Sequence, residues 1–333
     1  MAEVLTARFE RLPLRAPFRI SRGVKTHAEV VVAELQDGDA VGRGECVPYG
    51  RYEETPDSVL SELRETGRLI ARGAPTREMV SAMKPGAARN ALDCALWDLD
   101  ARRDGRSVAA RLGRALPERL ETAVTVSLDA PEAMAAAAAL SAGAPVLKVK
   151  LDAREPHARL EAVARAAPGC RLIVDPNESW TLDILTSIAD LVARLPVVMI
   201  EQPLPAGADQ GLAGLAFPAP ICADESVHTA ADVGRVSDRY QMVNVKLDKA
   251  GGLTEALAMV AAARGLGLGV LAGCMVSSSL AIAPAVSIGA LADVVDLDGP
   301  WWLVEDRPGG CRIDQGVLYP PQPGFWGDPA PRP

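Results

Sequence analysis

The chain is poor in the residues on which many common functions are built. It has three histidines, His27, His157 and His228, with neither an HExxH pair nor any other close ligand spacing, so a histidine-based zinc site has no support. Its cysteines, Cys46, Cys94, Cys170, Cys222, Cys274 and Cys311, are scattered and form no CxxC pair. They read as buried reduced thiols rather than a disulfide framework. No apolar run approaches the roughly 20 residues of a membrane span, and the Ala-rich stretch Ala133 to Leu140 is too short for one and reads as a helix. The opening MAEVLTARFERLPL alternates charged and apolar residues and lacks the apolar core of a signal peptide, so a cytoplasmic protein is expected. Positive charge is also short: 35 Lys and Arg face 43 Asp and Glu, a net charge of −8. That balance argues against a nucleic-acid partner, since binding there depends on basic patches that neutralise phosphates. A small-molecule substrate is expected instead, with no membrane partner; a homo-oligomer is compatible with the chain.

What is present is a repeat. From about residue 121 the runs ETAVTVSL, VLKVKL, RLIVDPN, VVMIEQP, PICADES, MVNVKLD, GLGVLAGC and VVDLDGP follow one another as strand-like text. Between them lie stretches such as PEAMAAAAALSAGA, REPHARLEAVARAA and GGLTEALAMVAAARGLG, whose apolar residues recur at three- and four-residue intervals. Strands alternating with helices imply parallel βαβ units, and eight such units close a barrel. The fold class is therefore α/β, a (β/α)8-type barrel over residues 116–300. Residues 1–115 alternate like an antiparallel sheet and then read as amphipathic helices, an α+β capping domain. The segment 301–333 carries further strand-like text, GCRIDQGVLYPP, expected to return to the first domain, and the tail GDPAPRP is expected to be loose.

In such a barrel the active site lies at the C-terminal ends of the strands, so charges at the ends of the apolar runs carry the information. The second run ends with Lys148 and Lys150, which face the same way because side chains alternate along a strand. The third ends with Asp175 and Asn177, the fourth with Glu201, the fifth with Asp224 and Glu225, the sixth with Lys246, and the eighth with Asp296 and Asp298. Asp175, Glu201 and Asp224 place three carboxylates on one arc of the rim, where mutual repulsion calls for a cation. Oxygen ligands without Cys or His suit Mg²⁺. Asn177 is expected to orient a ligand or a lysine, and Glu225 to point away from Asp224 if its strand continues. Lys150 and Lys246 lie four strands apart in a ring of eight and so face each other across the mouth. Beside Mg²⁺ their ammonium form is expected to be disfavoured, which suits base work. The arrangement predicts removal of a proton next to a carboxylate from one face, through an enediolate, and its return from the other.

Here the sequence resembles the enolase superfamily, in its muconate-lactonizing subgroup, and within it the dipeptide epimerases. The resemblance rests on GAARNALDCALWDL, LKVKLD, VDPNESW, IEQPLP, PICADES, MVNVKLDKAGGLTEAL, LAGCM and DLDGP, which span nearly the whole chain. It implies that Lys150 and Lys246 are the acid/base pair, that Lys148 is the auxiliary lysine of the KxK motif, and that Asp175, Glu201 and Asp224 hold one Mg²⁺ per subunit. It further implies that Asp296 and Asp298 hold the free ammonium of a dipeptide such as L-Ala-D/L-Glu, as in murein peptide recycling. FRISRGVKTHAEV resembles a mobile specificity loop closing over the mouth, with Arg22 on the distal carboxylate of the second residue. Thr125, Met275 and Ser277 would line the pocket by position. Epimerases of other dipeptides, an o-succinylbenzoate synthase or cycloisomerase, and a non-catalytic barrel are the alternatives. Asp296 and Asp298 discriminate, because a substrate without an ammonium would leave them unpaired.

Overall fold

The N-terminal domain is organised around one long hairpin. In the computed structural model, which describes residues 3–329, β1 (Val4–Ile20) pairs antiparallel with β2 (Gly23–Asp37), and β3 (Ala40–Cys46) pairs with β2. The helix Ala87–Asp104 lies directly on this sheet. A side chain at Gly42 would put its Cβ 2.1 Å from the Ala95 carbonyl oxygen, and one at Gly44 would come as close to that of Ala91. Only glycine permits so close an approach of helix and strand. The helix Pro56–Ala71 starts at a capping box between Thr55 and Ser58 with proline in its first turn, and buries Leu63 and Ile70.

The eight expected strands all form, as β5 (Val124–Val126), β6 (Val146–Lys150), β7 (Arg171–Asp175), β8 (Val197–Glu201), β9 (Ile221–Ala223), β10 (Met242–Val245), β11 (Gly269–Gly273) and β12 (Val294–Asp296), preceded by a short β4 (Leu120–Glu121). Each of the eight pairs in parallel with its neighbour in sequence. The Ala123 N–H donates to the Val295 carbonyl at 2.9 Å and brings the ends of the sheet together. Helices Pro131–Leu140, Pro156–Ala166 and Leu253–Gly265 occupy the three stretches read as crossovers. The repeat is not uniform, because only a single 3-10 turn, Gln210–Leu212, lies between β8 and β9. That connection contains Pro203, Pro205, Gly207, Gly211, Gly214, Pro218 and Pro220, a composition that opposes a helix.

Within the lumen, Val146, Ile173, Met199, Cys222, Met242 and Leu271 form one buried apolar layer. Side chains two residues further along a strand face the same way, so the next layer toward the C-terminal ends carries Lys148, Asp175, Glu201, Asp224 and Asn244. The strand period thus converts an apolar floor into a polar mouth.

The C-terminal segment splits its contacts. Its hairpin, β13 (Arg312–Asp314) with β14 (Val317–Tyr319), pairs with β4 at the entrance to the barrel sheet. The flanking stretches reach the first domain: Leu303 bridges to Leu14, and the Trp326 indole donates to the Arg43 carbonyl at 2.9 Å. Gly327, the first residue of the tail expected to be loose, is tied down, since its N–H donates to Asp98 at 2.7 Å; residues 330–333 lie outside the described part. Among the described residues no helix is long and apolar enough to cross a membrane, and all six cysteines are free.

Candidate active site

The charged layer at the barrel mouth forms a continuous chain of contacts. Lys150 Nζ lies 2.5 Å from Asp175 Oδ2; Lys148 Nζ lies 3.2 Å from the same oxygen, 2.7 Å from Glu201 Oε2 and 2.7 Å from Asp296 Oδ2. On the other side, Lys246 Nζ lies 3.8 Å from Glu201 Oε1 and 2.7 Å from Asp224 Oδ2. All of these residues are buried. Lys148 and Lys150 both project from β6 into the mouth, as their alternation requires, and Lys246 follows β10. Lysines and carboxylates therefore alternate along this chain of contacts, while around the rim the three carboxylates stand together between the two lysines of β6 and Lys246.

This alternation sets the protonation states. Burial alone would push the carboxyls of Asp175 and Asp224 up, but Lys150 and Lys148 hold the first below the usual carboxylate range, and Lys246 and Lys249 hold the second well below it. Glu201 goes the other way, raised by burial and by Asp175. Burial would lower Lys148 and Lys246, yet Asp296 and Glu201 keep the first ammonium well above its ordinary value, and Asp224 and Glu201 keep the second above it. The expectation of a disfavoured ammonium concerns Lys150 and Lys246 beside Mg²⁺; with the carboxylates alone as neighbours, Lys246 shifts the other way. That expectation places a divalent cation among the carboxylates, whereas here the carboxylates themselves are the nearest neighbours.

The oxygens fit a hard cation. Glu201 Oε2 is buried and accepts no hydrogen bond, because Lys148 Nζ approaches it outside the hydrogen-bonding direction. Among the described residues no three acidic, histidine or cysteine side chains form a finished metal cage, and each of the three carboxylates has a lysine ammonium beside it. The donor set of Asp175, Glu201 and Asp224 is all oxygen, the chemistry that Mg²⁺ prefers. One residue that the sequence reading passed over orients this set. Lys249 Nζ is fully buried and donates to Asp224 Oδ1 at 2.6 Å and to the carbonyls of Asp224, Val227 and Asn244 at 2.6, 3.0 and 3.1 Å. The spacing of Lys246 and Lys249, one turn apart in VKLDK, was the available signal. Asn177 orients Asp175 through its backbone, its N–H donating to Oδ1 at 2.9 Å, and Asn244 donates to Glu201 at 2.8 Å.

A cavity of about 480 Å³ lies between this mouth and the first domain, and Thr125, Asp296, Asp298 and Met275 line it together with Lys148, Lys150 and Lys246. Asp296 ends β12, while Asp298 lies beyond the strand, where its Oδ2 accepts from the Thr125 N–H at 2.8 Å and the Trp302 indole at 3.3 Å. Burial and the neighbouring Asp296 push the Asp298 carboxyl up to about 6. Asp296 Oδ1 is buried without a hydrogen-bond partner.

Three expectations are corrected. Ser277 is buried outside the cavity lining, and its hydroxyl donates to the Met275 carbonyl at 3.1 Å. Glu225 does not point away from the mouth: β9 ends at Ala223, so the alternation stops, and Glu225 lines the cavity beside Asp224. The segment around Arg22 is not a loop but the closing end of the β1–β2 hairpin, with Phe18 opposite Lys25, Arg19 opposite Val24 and Ile20 opposite Gly23. Arg22 sits at its turn, 2.7 Å from Glu225 and 3.0 Å from Glu178, and Tyr49 and Lys25 line the cavity next to it.

The lysine pair, the acidic rim and the hairpin-capped barrel define a family. The chain belongs to the mandelate racemase / muconate lactonizing enzyme family: residues 2–113 match that family's N-terminal domain, and residues 132–325 match the enolase C-terminal domain-like family. Its relatives include the L-Ala-D/L-Glu epimerase of Escherichia coli, 45% identical over 93% of this chain and 97% of the relative. Another is an N-acetyl-D-glutamate racemase from a Pseudoalteromonas species, 41% identical over 90% of this chain and 95% of the relative. Among solved structures, an enolase family member from Agrobacterium tumefaciens with homology to dipeptide epimerases, bound to sodium and L-Ala-L-Glu, superposes with a TM-score of 0.94 at 46% identity, covering 98% of this chain and 100% of that one. Epimerases and racemases are isomerases, and this chain is an isomerase of the enolase superfamily.

Proposed function

We propose that the protein inverts the second residue of L-Ala-D-Glu and L-Ala-L-Glu. The observation that carries this is the pair Lys150 and Lys246, which reach the same cavity from strand positions four apart in a ring of eight, with Asp175, Glu201 and Asp224 between them. Asp175, Glu201 and Asp224 would hold one Mg²⁺, which supplies the positive charge that stabilises the second negative charge developing on the substrate carboxylate as the α-proton leaves. Lys150 takes the α-proton from one face, and Lys246 delivers a proton to the other, so the configuration inverts. Lys148, held by three carboxylates, stays charged and fixes Asp296. The free Asp296 Oδ1 and the carboxylate of Asp298 accept the dipeptide's ammonium, a charge-assisted bond in a dry site. A lyase, a cycloisomerase or a racemase of an N-acylated amino acid brings no ammonium, and would leave the buried Asp296 Oδ1 without a partner, since Lys148 takes only Oδ2. The substrate is a fragment of murein breakdown, which assigns the enzyme to cytoplasmic murein peptide recycling.

The test is proton NMR of L-Ala-D-Glu, L-Ala-L-Glu and a small dipeptide library with enzyme and Mg²⁺ in D₂O. The α-proton signal of the second residue alone should disappear. Absence of exchange on every dipeptide would overturn the reading.

A further inference from the structure

Asp224 stands one residue past the end of β9, a short strand whose register with β8 consists of Ile221 beside Ile200 and Cys222 beside Glu201. The connection between these two strands has no helix to brace them, only the 3-10 turn Gln210–Leu212. Lys249 holds the Asp224 carboxylate and carbonyl, but it follows β10 and so braces Asp224 from the side opposite β8. The placement of Asp224 against Glu201 needs a further support.

Gln202 supplies it. The residue follows Glu201 directly, is fully buried, and has a backbone φ of +35°, a left-handed conformation that a residue with a Cβ keeps only when its surroundings enforce it. Its backbone joins the neighbours on both sides: the N–H donates to the Cys222 carbonyl of β9, and the carbonyl accepts from the Glu178 N–H beyond β7, each at 2.9 Å. Its side-chain Oε1 accepts from the N–H groups of Asp224 at 2.8 Å and Ser226 at 3.1 Å. The amide Nε2 donates among the Leu204 carbonyl at 2.9 Å, the Ser226 hydroxyl at 2.9 Å and the Tyr240 hydroxyl at 2.8 Å. Both hydroxyls donate onward to Oδ2 of the buried Asp209, at 2.6 and 2.7 Å, and Arg239 lies 3.2 Å from the other oxygen of that carboxylate. A polar network thus joins the β8–β9 connection to the ends of both strands and to the approach to β10.

We propose that Gln202 is a positioning residue: through its amide it fixes the separation of Asp224 from Glu201, and so makes the rim select a small divalent cation over a larger one. Gln202 does not line the cavity, so it acts through Asp224 and Glu201 rather than on the substrate. The proposal rests on the reading of Asp175, Glu201 and Asp224 as the residues that hold Mg²⁺. Mg²⁺ demands a near-octahedral set of oxygens at about 2.1 Å, whereas Ca²⁺ accepts longer contacts in flexible arrangements, so discrimination between them depends on how rigidly the carboxylates are held. Loosening Asp224 from Glu201 should therefore harm Mg²⁺ binding more than Ca²⁺ binding.

The experiment titrates Mg²⁺ and, separately, Ca²⁺ by calorimetry into the metal-free parent, Gln202→Leu and Tyr240→Phe, with no dipeptide present. In Gln202→Leu the preference for Mg²⁺ over Ca²⁺, read as the ratio of the two Kd values, should fall about 10-fold or more, the scale of losing a residue that orients a metal ligand. Tyr240→Phe keeps the ring and leaves Oε1 of Gln202 on Asp224, but removes the hydroxyl that holds the amide. It should lose a smaller part of the preference, and it decides alone if Gln202→Leu does not fold. Equal weakening of both cations in Gln202→Leu would reduce Gln202 to a support of the fold and overturn the proposal. An unchanged preference in the variants that fold, or a parent that binds both cations without preferring Mg²⁺, would overturn it too. A parent that binds neither cation would overturn the metal-site reading and the proposal with it.

Discussion

The barrel mouth and the hairpin corner both set cations against carboxylates, but they are built on different supports. At the mouth, Lys148, Lys150, Asp175 and Glu201 project from strands, and each is buried. At the corner, Arg22 stands on a hairpin turn and Arg51 on a short 3-10 turn, with side chains 26% and 39% exposed. Groups fixed by a hydrogen-bonded sheet hold their separation, which proton transfer across a substrate needs. Groups on turns tolerate exchange, which suits choosing a side chain. On the proposed function, the contrast puts the reaction at the mouth and selectivity at the corner, and it ranks what substitutions in each should cost.

The largest effects should come from the mouth. Lys150→Ala and Lys246→Ala should each lower epimerisation by about 10³-fold or more, the scale of losing a positioned acid or base. One of the two should still exchange the α-proton of a single epimer in D₂O. Full activity in both would remove the mouth from the chemistry and collapse the comparison. Next comes Lys249→Met, which frees Asp224 from its buried anchor. Mg²⁺ affinity measured by calorimetry should weaken about 10- to 100-fold, as for other residues that orient a metal ligand, with the circular dichroism spectrum kept. Unaltered affinity would show that Asp224 needs no such support. Smaller again is Arg22→Met. If Arg22 fastens the hairpin rather than reading the substrate, KM should rise by about 10-fold for L-Ala-L-Glu and L-Ala-L-Gln alike. A loss confined to the Glu substrate would return the specificity role to Arg22.

The same contrast explains what could be read from the sequence. Eight strands were legible because each is a short apolar run ending in a polar residue, and the step from Ile173 to Asp175 or from Met199 to Glu201 follows from a period of two. The site residues on those strands were legible by the same rule. Where a strand stops, the rule stops: Glu225 lies past the end of β9 and faces the cavity, and Ser277, past the end of β11, turns away from it. Lys249 was not legible because its role depends on partners on another strand end, Asp224 and Val227. The direction of the Lys246 shift was also hidden, since it depends on which oxygens lie nearest, and that is set only when the ends of β8, β9 and β10 come together.

The join between the two regions gives the smallest expected effect, one on stability rather than turnover. Asp248 follows Lys246 by two residues, and its Oδ1 accepts from the Val47 N–H and the Asn90 amide of the first domain, both at 2.9 Å. Burial, with Glu54 and Glu45 nearby, pushes its carboxyl up to about 7. A folded value above the unfolded value, ordinarily near 4, means that the fold favours the protonated acid. The contribution of Asp248 to stability is therefore complete below about pH 4 and is lost as pH rises to about 7. Asp248→Asn keeps an oxygen for both donors and removes the titration. In urea unfolding at fixed ionic strength, the stability of this variant relative to the parent should climb between about pH 4 and pH 7 and level off above. Other raised acids at the join, Glu45, Asp93 and Asp98, are common to both proteins and cancel in the difference. A difference that stays constant with pH would mean that Asp248 is ionised throughout, and that the two domains meet across a permanent charge rather than a proton held between them.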